Sequence, residues 1–138
     1  MKESNISYNW PSDLPSELFE ELELIPAQGE VYRLVSGIPP TSEDFIRHRD
    51  TNTEYNYQNK IERLQSYGVS VWSKLTKLKR RKKNFPANSQ LGQMRIVSGY
   101  LVPELGVISS ESRRDGHVTL WKQVKAEPHV HIKNEVND

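Results

Sequence analysis

A chain of 138 residues with net charge +1, 35% hydrophobic and 27% charged residues, is long enough for one buried core and too short for two ordinary domains. The absence of cysteine excludes disulfides, a thiolate nucleophile and cysteine-ligated zinc. No run of about 18 apolar residues is present to cross a membrane, and the first residues lack the apolar stretch of a signal peptide, so a soluble cytoplasmic protein with no membrane partner is expected.

In chain order, residues 1–12 are polar apart from Ile6 and the aromatics and read as a flexible arm, with Trp10 able to dock onto the body. DLPSELFEELELIP sets Leu14, Leu18, Leu22 and Ile25 at helical spacing and predicts an acidic amphipathic helix over 14–25, stopped by Pro26. EVYRLV is β-branched and aromatic, hence a strand. After the turn at Pro39 and Pro40, Thr41 and Asp44 have the spacing of a short capping box. TNTEYNYQN reads as a loop, Ile61 and Leu64 give a small helical face ending at Gly68 as a C′ residue, and VSVW follows as a brief strand.

Ser73 is placed to cap a helix in which Leu75 and Leu78 share one side and cations fill the others. GQMRIVSGYLV is the strongest strand signal, GVISS its expected hairpin partner, GHVTLWKQV a third strand, and HVHIK a short edge strand. Helices concentrated early and strands late predict a single α+β domain over 13–133 with a largely antiparallel sheet, and a frayed tail at 134–138.

Charge is distributed unevenly along this order. Residues 1–50 carry four basic and ten acidic groups, whereas residues 74–95 carry eight basic and none acidic. Lys74, Lys77, Lys79, Arg80, Arg81, Lys82 and Lys83 crowd one segment, where like charges repel by a few tenths of a kcal/mol per facing pair (about 0.2–0.5). A phosphate backbone would relieve that repulsion, and Phe85, Trp72 and the tyrosines at 55, 57 and 67 offer stacking faces. The segment therefore reads as a nucleic-acid contact for RNA or DNA. The alternatives are a solvated helix face, or a patch that meets the acidic helix in a homodimer or on a protein partner.

Histidines form a second candidate set. His129 and His131 alternate on a presumed strand, and His117 would supply a third nitrogen to a metal if its strand lies nearby; exposed edge histidines are the plainer reading, and no metal is assigned. No phosphate loop, dinucleotide fingerprint or serine-hydrolase elbow occurs, so no organic cofactor is expected.

Two resemblances bear on chemistry. GHVTLW contains His117-x-Thr119, which is similar to half of the signature of two-histidine phosphoesterases; those enzymes need a second copy, and HVHI has His131 where the hydroxyl should stand, so the likeness ends at three residues. Arg33 on an early strand, a serine of GVSVWS on a middle strand and a later Glu104 or Glu111 resemble in order the residues with which ADP-ribosyltransferases hold NAD and stabilise a developing ribosyl cation. The characteristic Glu-x-Glu or Gln-x-Glu is missing, and a strand arginine paired with an acidic neighbour is the alternative.

The leading expectation is a non-catalytic module that binds nucleic acid through its basic helix as an accessory part of a larger assembly. The rivals are a small enzyme for a phosphate- or ribose-containing substrate using Arg33, His117 and Thr119, and a charge-based protein-interaction module. Convergence of Arg33, His117 and Thr119 in one pocket around a perturbed histidine is what separates the enzyme from the others.

Overall fold

The computed structural model describes residues 7–111 and 113–137. It is an α+β domain built on a seven-stranded antiparallel sheet of order β1-β5-β6-β3-β2-β4-β7. The strands are β1 (Leu24–Pro26), β2 (Gly29–Val35), β3 (Val69–Trp72), β4 (Arg95–Leu101), β5 (Gly106–Ser109), β6 (His117–Lys122) and β7 (Ile132–Val136). Five short helices join them: α1 (Glu17–Glu21), α2 (His48–Thr51), α3 (Lys60–Gln65), α4 (Leu75–Lys83) and α5 (Pro128–His131).

The period-two alternation of each strand sends its apolar residues to two faces. Val31, Val35, Val69, Val71, Val97 and Leu120 bury one face together with Phe45 from the 3-10 turn Ser42–Phe45. On the other face Trp121 and Val107 pack under Leu18 of α1 and Leu64 of α3. Trp121 satisfies its buried indole N–H by donating to the Leu64 carbonyl at 2.8 Å, which ties β6 to α3.

Several elements depart from the sequence reading. The acidic helix is shorter than 14–25, because Leu24–Pro26 extends to pair with β5. That pairing lets Leu24 join one apolar cluster and Ile25 the other, and Pro26, lacking an N–H, is tolerated on an edge strand. β4 does not form a hairpin with β5; it pairs with β2 and β7, while β5 pairs with β1 and β6. Ser73 does not cap α4, whose N-cap is Lys74; its hydroxyl donates to the Gly116 carbonyl instead. Gly68 is not a left-handed C′ residue but enters β3, where an added Cβ would lie 2.8 Å from the Leu120 carbonyl oxygen.

The chain ends are also more engaged than composition suggests. Residues 1–6 of the expected arm, and Asp138 of the expected tail, lie outside the described residues. Tyr8 and Trp10 pack against the second apolar cluster, and Tyr8 donates its hydroxyl hydrogen to the Pro103 carbonyl at 3.0 Å. Asn134 to Val136 pair with β4 rather than fraying.

The feature that matters most for function is a split in the sheet. β2 and β3 share one register pair, Tyr32 with Trp72, and beyond it the two strands part. β2 continues along β4 and β3 continues along β6, so each keeps its ladder on the far side. A cleft opens between them.

Candidate active site

The register of β3 and β6 dictates which side chains face this cleft. Trp72 lies opposite His117 and Ser70 opposite Thr119, so all four occupy the same sheet face, while Val69 and Val71 point into the core. His117 Nε2 stands 2.9 Å from Ser70 Oγ, and the Trp72 ring meets the imidazole edge-on at 5.0 Å.

Arg33 alternates with Val31 and Val35 and is thus an arginine on an otherwise apolar strand face. Its guanidinium bridges the split: Nε donates to the Asp44 carbonyl at 2.6 Å and Nη1 to the Ser70 carbonyl at 2.5 Å, with the Phe45 ring 5.3 Å away. Enclosure lowers its pKa to about 10, so it stays charged at neutral pH and satisfies the backbone acceptor that the parted strands leave open.

α4 forms the opposite wall. Leu78 is buried and anchors the helix, which places Arg81 over the Trp72 ring at 5.1 Å, while Phe85 follows the helix end. With Leu91, Met94, Arg113 and Asp115 these residues enclose a cleft of about 510 Å³ that reaches from Arg33 to His117. Asp115 accepts from Arg113 and from the His117 backbone N–H, and these bonds, the guanidinium first, bring its carboxyl down to about 2. Its charge is thereby spent on Arg113 and on orienting the start of β6, and the cleft keeps a positive balance from Arg33 and Arg81.

Burial is the chief cause that lowers the pKa of His117, with Arg113 next and Asp115 opposing. The imidazole is therefore neutral at neutral pH. In the Nε2–H tautomer the ring donates to Ser70 Oγ, which fixes its orientation and leaves the Nδ1 lone pair free, the arrangement a general base requires.

A second cavity of about 170 Å³ adjoins the first and shares Gln65, Ser70 and His117 with it. Its far side is aromatic: Tyr55 and Tyr57 lie 4.9 Å apart, His48 packs edge-on against both, and Glu62 accepts from the Tyr55 hydroxyl at 3.4 Å. Ser70 and His117 thus stand between a cationic lobe and a tyrosine lobe.

The residues proposed from sequence are divided by the fold. Arg33, His117, Arg81 and Phe85 converge in the cleft; Thr119 is buried beside Ser70 and lines a neighbouring cavity of about 370 Å³ that contains Glu111 and shares Gln65, Arg113 and His117 with the cleft. The late glutamates of the ADP-ribosyltransferase likeness do not line the main cleft, and the serine of GVSVWS that reaches it is Ser70. Lys74 donates to the Arg114 carbonyl at 3.0 Å, whereas Lys79, Lys82 and Lys83 line an outer groove and Arg80 points to solvent. Lys77 is partly covered on the same helix.

The histidine set does not assemble. His129 and His131 fall in the turn of α5 instead of alternating on a strand, because Pro128 starts a helical turn before β7 begins. Among the described residues no group of three or more His, Cys, Asp or Glu could hold a metal ion. The acidic helix does not cover the basic one either: Glu17 pairs with Arg63 and Glu21 with Lys60, both on α3.

The contribution of Arg113, Gln65, Leu91 and Met94 to the site was not legible in sequence. A usable signal for Ser70 existed, since VSVW alternates and puts its serine opposite to the core valines. Compared with protein-family models, curated proteins and solved structures, the chain matches none.

Proposed function

We propose that this protein is a small enzyme acting on a nucleotide-like substrate that carries phosphate and ribose, bound in the cleft between β3, β6 and α4. The observation that carries this reading is His117 Nε2 standing 2.9 Å from Ser70 Oγ in a cleft walled by arginines and aromatic rings. Arg81 suits a phosphate through its planar fork of donors, whereas the fork of Arg113 is already held by Asp115. Trp72 and Phe85 suit a flat ring or sugar face. His117 takes at Nδ1 the proton of a water that attacks phosphorus while its Nε2–H, donating to Ser70 Oγ, holds the ring in register; the P–O bond to the leaving group breaks, the leaving oxygen takes the proton back from the imidazolium, and Arg81 stabilises the negative charge on the phosphate. Arg33 acts behind Ser70 as a positioning residue. A role limited to binding leaves the Ser70 and His117 pair without a use.

The test is calorimetric titration of the protein with mononucleotides, dinucleotides and nucleoside diphosphate sugars, followed by chromatography of the incubated mixtures. Binding of at least one compound and its conversion, lost in Ser70→Ala and His117→Ala variants that still melt cooperatively, is the expected result. Conversion that persists unchanged in both variants, or no binding by the unaltered protein, removes the proposal.

A further inference from the structure

We infer that the substrate presented to this cleft is a single-stranded nucleic acid, its backbone lying along the outer side of α4 and one nucleotide turning in past Phe85. This inference rests on the enzymatic reading above and specifies its substrate class. Phe85 is a wall of two spaces at once: the cleft that holds Ser70 and His117, and an outer groove of about 470 Å³ lined by Lys79, Lys82, Lys83, Ala87 and Gly92. The two spaces therefore meet at one aromatic ring.

The helix geometry makes the division of labour. Lys79 and Lys83 are four residues apart and share a face, roughly 6 Å apart along the axis at about 1.5 Å per residue. Arg81, two residues from each, projects to the other side and into the cleft. One phosphate group of a small nucleotide would be met by the cleft arginines alone, leaving the outer lysines idle. Among the described residues neither Lys79 nor Lys83 has an ion-pair partner, and the intervening Arg80 is exposed, so the outer side holds like charges at close quarters. A chain of phosphates relieves this repulsion, which a single nucleotide does not.

The lining of the groove also fits a sugar–phosphate chain. Ala87 and Gly92 bring neither charge nor bulk to it, and cations stand along its helical side. A base can reach Trp72 and Phe85 only when unpaired, because in a duplex both of its faces are already stacked. The expected ligand is thus single-stranded, bound mainly through its backbone and with little dependence on sequence.

The experiment compares three probes by fluorescence anisotropy and competition: a mononucleotide, a single-stranded oligonucleotide of about 10 nucleotides, and the corresponding duplex, each at about 50 mM and about 200 mM salt. The oligonucleotide is expected to bind at least about tenfold more tightly than the mononucleotide at the lower salt. Substitution of Lys79→Ala with Lys83→Ala should remove that advantage and lower the slope of log K against log salt by about 1.4, leaving mononucleotide binding unchanged. Equal affinity for mononucleotide and oligonucleotide, tighter binding of the duplex, or an oligonucleotide affinity indifferent to the two substitutions overturns the inference while the enzymatic reading stands on its own mononucleotide result. Failure of the unaltered protein to bind any of the three probes overturns the inference, and the enzymatic reading is then decided by the dinucleotide and nucleoside diphosphate sugar titrations.

Discussion

Arg33 Nη1 donates to the main-chain carbonyl of Ser70 across the gap where β2 and β3 separate. A ladder bond would ordinarily serve that carbonyl. The substitution of a guanidinium for a neighbouring strand keeps the split open without orphaning the acceptor, and the same side chain fixes the Asp44 carbonyl on the opposite side.

Arg33 should therefore be a stability determinant as well as a support of the site. Arg33→Ala leaves two part-buried carbonyls without donors and is expected to cost about 1–3 kcal/mol. Arg33→Lys keeps the charge but not the fork, so it should fall between the unaltered protein and the alanine variant. Urea denaturation midpoints measure the order; two variants indistinguishable from the unaltered protein would show that the bridge is dispensable.

The lowered pKa of His117 gives stability a specific pH dependence. Its folded value lies below the ordinary 6.5, so as pH falls through 6.5 the unfolded chain takes up a proton before the folded one does. Stability is then lost on the acid side, down to the folded value of His117. His117→Gln should flatten this part of the profile between about pH 7 and pH 5. The Asp115 carboxyl, brought down to about 2, acts in a lower window: it contributes above its unfolded value and loses that contribution on further acidification, and the contribution is small because the group is exposed. Thermal melts across this pH range decide the matter, since an unaltered acid slope in the glutamine variant assigns the effect to another group.

Leu78 is the apolar anchor of an otherwise cationic helix, and its neighbour Arg80 is exposed. Leu78→Ala should destabilise by about 2–4 kcal/mol through lost burial and the cavity left behind. Arg80→Ala should change stability by less than about 0.5 kcal/mol. Comparable losses in both variants, measured by chemical denaturation, would contradict the placement of α4 on the sheet.

Gly68 lies where β3 passes β6 closely. An added Cβ would sit 2.8 Å from the Leu120 carbonyl oxygen, a backbone atom that cannot rotate away. Gly68→Ala is expected to cost about 1–3 kcal/mol by overpacking, although alanine ordinarily favours order over glycine. A stabilised Gly68→Ala variant would show that the strands are free to separate there.

Strands and helices were legible wherever a short window contains the whole signal. EVYRLV, VSVW and GHVTLW alternate with period two, and KLTKLKRRKK has too little apolar surface for anything but an anchored surface helix. The misread segments are those in which a distant partner outweighs local preference. ELIP looks helical until β5 offers its backbone a ladder, and HVHI alternates like a strand although Pro128 begins a turn. Thr119 shares the strand parity of His117 two residues before it, yet its cross-strand neighbours bury it while the end of β6 leaves the histidine facing the cleft.

Local sequence by itself determined the element types outside ELIP and HVHI, the segregation of charge and the presence of an arginine on an apolar strand face, because propensity and periodicity act over a few residues. Only the tertiary structure decided that Arg33, Ser70, Arg81 and His117 share one cleft. Those four come from β2, β3, α4 and β6, and their meeting depends on strand order and on a split between β2 and β3, which are set by long-range pairing and by the packing of two apolar faces.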